Sequence, residues 1–108
     1  GAGGGGATPV SFATQIQPIL QQRCSSCHSV GTVATAYSWM RGNAGSGCSG
    51  ARVTVNDGAS SLVVRKLQPS PPCGSRMPQG CSGTSSTCVS AANLALIIQW
   101  IDEGALNN

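Results

Sequence analysis

Charge is scarce in this sequence: Asp, Glu, Lys and Arg make up 8% of 108 residues, against about 25% in ordinary soluble proteins. With a formal net charge of +3, it lacks the basic density for nucleic-acid binding and the field for strong electrostatic steering. Aromatic residues are rarer still, amounting to Phe12, Tyr37, Trp39 and Trp100. No apolar run approaches the ~18 residues of a membrane-spanning helix, so no spanning segment is expected. Histidine occurs once, at His28, which excludes a site built from two imidazoles of the same chain. A chain with so few large apolar groups buries little area per residue and needs covalent or cofactor support.

Glycine (15 residues) and cysteine (six) are in excess. Six cysteines in so short a chain point to export, into the periplasm or beyond the cell. The opening Gly-Ala-Gly-Gly, without an initiator Met, reads as a mature form whose signal peptide has been removed. Residues 1–8 read as a flexible glycine-rich tail, and residues 9–108 as one domain.

Helical periodicity appears at both ends. Phe12, Ile16, Ile19 and Leu20 recur on one face behind a candidate N-cap, Ser11. Pro18 falls inside this pattern and is expected to bend or interrupt the helix. Leu94, Leu96, Ile97, Ile98, Trp100 and Ile101 fill one arc of a helix expected over about 91–103, with Ser90 as cap and Gly104 as stop. Between them the sequence suggests a short helical turn near Tyr37–Arg41 and a brief extended run, Arg52–Val55. Asp57-Gly58 marks a turn, and a short helix from Ser60 or Ser61 to Leu67 follows, although Leu62-Val63-Val64 also suits a strand. Residues 68–89 carry four prolines and three cysteines and show no periodicity.

Cys24-Ser25-Ser26-Cys27-His28 matches C-x-x-C-H, the attachment motif of c-type haem. Two thiols three positions apart on one helical turn reach both vinyl groups, and the next residue turns its imidazole to the iron. Zinc also uses C-x-x-C, but Cys81 and Cys88 are poorly spaced to complete such a site and no second histidine exists. A pair of plain disulfides beside a surface histidine is the other alternative. For the second axial position the sequence offers Met40 and Met77. Met77, in the Arg76-Met77-Pro78 loop, is favoured, because Met40 beside Trp39 looks like a packing residue. Arg76 suits contact with a haem propionate. The remaining cysteines admit three pairings, and Cys81–Cys88 with Cys48–Cys73 braces the loop that carries Met77.

In sequence order these parts resemble the small bacterial monohaem cytochromes c, over nearly all of residues 9–106. The resemblance rests on Phe12…Pro18-Ile19-Leu20…Cys24-x-x-Cys27-His28, Ser61-Leu62…Lys66-Leu67, Cys73-Gly74-Ser75-Arg76-Met77-Pro78 and Trp100-Ile101…Gly104-Ala105. It implies an all-α, cytochrome c-like fold with N- and C-terminal helices crossing beside one covalently bound haem c, and Trp100 near the crossing. It further implies His28 and Met77 as axial ligands. The Gly/Ser-rich stretch around 42–50 and the four additional cysteines depart from the family pattern.

A six-coordinate His/Met iron offers substrate no open position, so the expected role is electron transfer with redox partner proteins rather than catalysis. Such a partner is expected to dock transiently on a mostly uncharged surface. A haem enzyme or gas sensor with a displaceable Met77 is the alternative from another class, and a haem-bearing subunit that self-assembles into an extracellular polymer is a third.

Overall fold

The computed structural model describes residues 8–45 and 47–108. The expected tail over residues 1–8 therefore lies, Thr8 apart, outside the described residues. Ser11 opens the first helix: its Oγ accepts from Thr14 N–H at 3.2 Å. The opening turn, Phe12–Ile16, is π-helical, with Gln17 N–H bonded to Phe12 O, and continues into α1, Gln17–Cys24. Pro18 stands in the first turn of α1, where its missing N–H is no loss. The expected interruption thus takes the form of a widened turn just ahead of the proline. Phe12, Ile16, Ile19 and Leu20 are buried, as their spacing requires.

The second helix, α2, runs Val33–Met40, longer than the turn expected near Tyr37. Thr32 and Thr35 form a reciprocal capping box at its start, satisfying backbone donors that a helix otherwise leaves unpaired. The next helix, α3, spans Leu62–Lys66 and buries Val63 and Val64, so helix prevails over strand there. The Ser61 hydroxyl does not cap it but donates back to Asp57 O at 2.8 Å, tightening the preceding loop. The expected extended run at Arg52–Val55 forms no strand, and only an isolated bridge joins Asn43 to Ala51. The fourth helix, α4, covers Ala91–Asp102 with Ser90 Oγ accepting from Asn93 N–H. It ends where Gly104 turns to φ +111°, a conformation that glycine enters without steric cost. Among the described residues the regular elements are all helical.

The core forms where the two ends of the chain meet. Trp100 of α4 lies 5.0 Å from Phe12, ring centre to ring centre, and Tyr37 of α2 meets Phe12 edge-on at 5.3 Å. Each such pair adds about 0.5–1.5 kcal/mol beyond its area, so three of the four aromatic residues act as one unit. Their polar atoms are satisfied: Trp100 Nε1 donates to Leu106 O and Tyr37 Oη to Ala105 O. Asn108 closes the seam, its carbonyl accepting from Ser11 Oγ and Ala13 N–H, and its side-chain oxygen from Phe12 N–H. Residues 68–89 contain no regular element. Two disulfides brace them, Cys48–Cys73 and Cys81–Cys88, with Cα separations of 5.4 and 4.8 Å.

Candidate functional site

Helix α1 ends at Cys24, and its carbonyl accepts two further hydrogen bonds, from Cys27 N–H at 3.1 Å and His28 N–H at 2.9 Å. The chain therefore coils on for one more turn, carrying Cys24, Cys27 and His28 together. The segment beyond is fixed by the buried Gln17, whose Nε2 donates to Val30 O at 3.0 Å. A buried amide without such a partner would be costly, so the bond specifies where the motif leaves the helix.

These three side chains line a cavity of about 610 Å³, within the range of small-molecule and cofactor sites. Its walls are mostly apolar: Leu20 from α1, Leu62 and Val63 from α3, Leu67, Val89, and Ile97 from α4. Met77 lines the same cavity, whereas Met40 is fully buried in the core and does not reach it. Four of the six cysteines are joined as disulfides, and the two left as thiols are Cys24 and Cys27.

Electrostatics separates the members of this set. Burial, reinforced by the neighbouring Cys27, pushes the Cys24 thiol up to about 11, so it stays protonated. Burial, reinforced by Arg52, holds the His28 imidazole below its ordinary value, which favours the neutral form that ligates metals. The His28 ring lies 4.8 Å from that of Trp39 at a 42° tilt. Arg52 in turn stacks 4.4 Å over Trp39 and donates to its carbonyl at 2.8 Å. Arg23, Arg52 and Lys66 all line the cavity, and among the described residues no carboxylate does. Asp102 and Glu103 are engaged elsewhere, accepting from Gly58 and Val10 N–H.

Two thiols, a neutral imidazole, a thioether, apolar walls and cationic groups fit a flat apolar macrocycle with anionic substituents. Arg76, which the sequence offers as a propionate contact, is not among the residues that line this cavity; its Nε is buried with no hydrogen-bond partner among the described residues. A four-ligand zinc site fits less well, since among the described residues no group of three His, Cys, Asp or Glu side chains is arranged to hold a metal ion. Cys24, Cys27 and His28 have no fourth such residue beside them in the cavity lining other than the disulfide-bonded Cys48.

No protein-family model and no curated protein matches the chain. Among solved structures it is similar to Kuenenia stuttgartiensis hydrazine synthase, at a TM-score of 0.57 and 22% identity. The likeness is one of fold. It covers 89% of this chain but 16% of that one, so the chain matches a small segment of a much larger protein.

Trp39, Arg52 and Lys66 carry no motif that marks them in the sequence as site residues. Trp39 is adjacent to Met40, which favours a packing interpretation for both, and the helix that turns the indole toward His28 begins earlier than expected. Arg52 and Lys66 reach the cavity through loop and helix placement that local pattern does not encode.

Proposed function

We infer that this chain is a monohaem electron carrier of the cytochrome c type, holding one haem c through Cys24 and Cys27, with His28 and Met77 as axial ligands. The observation that carries this reading is the meeting, in one apolar cavity, of the two unpaired thiols, the single histidine and one of two methionines. A bound haem supplies reversible one-electron chemistry at its iron. The protein's part is to hold the ligands still and keep water out, so that little rearrangement accompanies each transfer. Cys24 and Cys27 fix the group covalently, and Trp39 bears on the face of His28. The apolar side chains of α3 and α4 lower the local dielectric. The contact of Phe12 with Trp100 supports the crossed terminal helices of such a fold.

Two disulfides point to an oxidising compartment, and an exported carrier, periplasmic or extracellular, meeting redox partner proteins transiently is the corresponding proposal. Catalysis at the iron is disfavoured, because peroxidase-type chemistry needs a distal acid–base group and the sole histidine is already committed. The deciding experiment is the visible spectrum of the purified protein, oxidised and reduced, with carbon monoxide added to the reduced form. A low-spin spectrum unmoved by carbon monoxide is expected. Rapid carbon monoxide binding would transfer the assignment to an enzyme or sensor with an open site, and absence of haem absorption would end it.

A further inference from the structure

The loop that carries Met77 has almost no polar attachment to the helical frame. Among the described residues, two hydrogen bonds tie residues 69–89 to the rest of the chain, and Lys66 makes both. Its backbone carbonyl accepts from Met77 N–H at 2.7 Å, and its Nζ donates to Cys73 O at 2.7 Å. The remaining bonds of this segment, such as Cys81 N–H to Pro78 O and Cys88 N–H to Ser85 O, are internal.

Lys66 is well placed to act as a fixed point. It is the last residue of α3, whose Val63 and Val64 are buried, so its backbone moves only if that helix moves. Its side chain lines the cavity beside Met77. Gly74 makes room for the ammonium: at φ +62°, a Cβ at that position would stand 2.8 Å from Lys66 Nζ. The loop is thus held at residue 73 by a charge-assisted bond and at residue 77 by a backbone bond. Between these two points lies the turn that presents Met77.

We propose that Lys66 is the positioning residue that helps keep Met77 seated in the cavity, so that its side chain sets how often the second axial site opens. The proposal rests on the reading that Met77 is the second axial ligand. Lys66 itself need not touch the iron. It acts through Met77, by stiffening the loop: the Cys48–Cys73 disulfide and the Met77 N–H bond to Lys66 O hold residues 73 and 77, and the Nζ bond adds a third attachment, to the Cys73 carbonyl.

The test uses the full chain with haem attached, reduced, and titrated with carbon monoxide. Removing the Nζ bond by K66M forfeits a hydrogen bond from a charged donor, and the fraction of molecules open to carbon monoxide is expected to rise roughly 10- to 100-fold. K66R retains donor and charge and is expected to restore exclusion. G74A displaces the ammonium and also strains the loop backbone at φ +62°. If K66M yields no haem-loaded protein, G74A is therefore read in pair with G80A, which places the same strain in the loop (φ +86°) away from Lys66: opening in G74A beyond that in G80A is expected. Hydrogen exchange at Met77 N–H, measured in the oxidised protein, should accelerate in K66M and return towards parental protection in K66R. A parent that excludes carbon monoxide together with K66M and G74A proteins that exclude it equally would overturn the clamp and leave Met77 ligation standing. A parent that itself binds carbon monoxide freely would overturn Met77 ligation, and the clamp with it.

Discussion

Gly58 is where the loop before α3 touches α4, and replacing it by alanine should damage the fold. The added Cβ would stand 2.6 Å from Ile98 O, 2.8 Å from Ile98 Cγ2 and 3.0 Å from Asp102 Oδ1. The first of these is a helix carbonyl, which cannot rotate aside, so loop and helix must separate. Such overpacking costs about 1–3 kcal/mol. Separation also stretches the 2.7 Å bond from Gly58 N–H to Asp102, a charge-assisted contact worth about 1.5–3 kcal/mol. Against this, alanine restricts the unfolded chain and returns about 0.4–1 kcal/mol. The net expectation for G58A is a loss of about 1.5–5.5 kcal/mol. At ~4–8 °C per kcal/mol for a domain of this size, the melting temperature should fall by about 6 °C or more. G31A is the internal control, because nothing lies within 4 Å of a Cβ at Gly31, and it should be neutral or up to ~1 kcal/mol more stable. Denaturant unfolding of the three proteins at one protein concentration reads both signs. A G58A protein within about 0.5 kcal/mol of the parent, or a G31A protein equally destabilised, would refute the reasoning.

The two disulfides should differ in weight: loops of 25 and 7 residues predict losses of about 3.5 kcal/mol for C48A/C73A and about 2.4 kcal/mol for C81A/C88A, an order that paired unfolding curves check. Truncating the fully buried Trp100 in W100A should cost about 3–5 kcal/mol, and an unchanged melting temperature would remove it from the core. Glu103 is held below the usual carboxylate range by hydrogen bonds from Gln99 and from Val10 N–H. Because its folded value is depressed, its contribution is present above the unfolded value and fades as pH falls through the folded one. E103Q should therefore flatten the acid limb of the stability profile, and an unaltered limb would contradict this. In C24S/C27S, acid–organic extraction should release all haem that the protein retains, whereas the parent should release none.

The ends of the chain were the most legible part of the sequence because periodicity, cap and stop agreed there: Ser11, the Phe12–Leu20 stripe, Ser90 and Gly104 all perform the expected tasks. The middle was harder for identifiable reasons. Helix α2 opens on Val33 and closes its box with Thr35 in place of an acidic or amide residue, so its start carried little signal. Pro18 marks a break in the helix, but whether the helix kinks, stops or widens depends on how Phe12 and Ile16 pack. Ser61 sits at the right place to cap α3, yet its hydroxyl finds Asp57 O first, a competition that only the folded loop resolves. At the site, C-x-x-C-H and Met77 are local signals in the sequence, and the structure brings them to one cavity. Lys66 carries no such signal, since its role depends on a backbone carbonyl and on the nearness of Cys73 and Gly74 in space.

The seam between residues 11–13 and Asn108 has a consequence for how the chain is made. Domains emerge from the ribosome N-terminus first, at about 5–20 residues per second. The turn that opens the first helix is bonded through Ser11, Phe12 and Ala13 to Asn108, nearly the whole described chain away. Its N-terminal lock therefore stays open throughout elongation and closes only once the last of these residues is free of the ribosome. Until Trp100 has emerged the Phe12 ring has no such partner to pack against, and the core that joins the two ends stays incomplete. In the exported carrier proposed above, such late closure would leave the chain open to translocation and to covalent modification before its core forms.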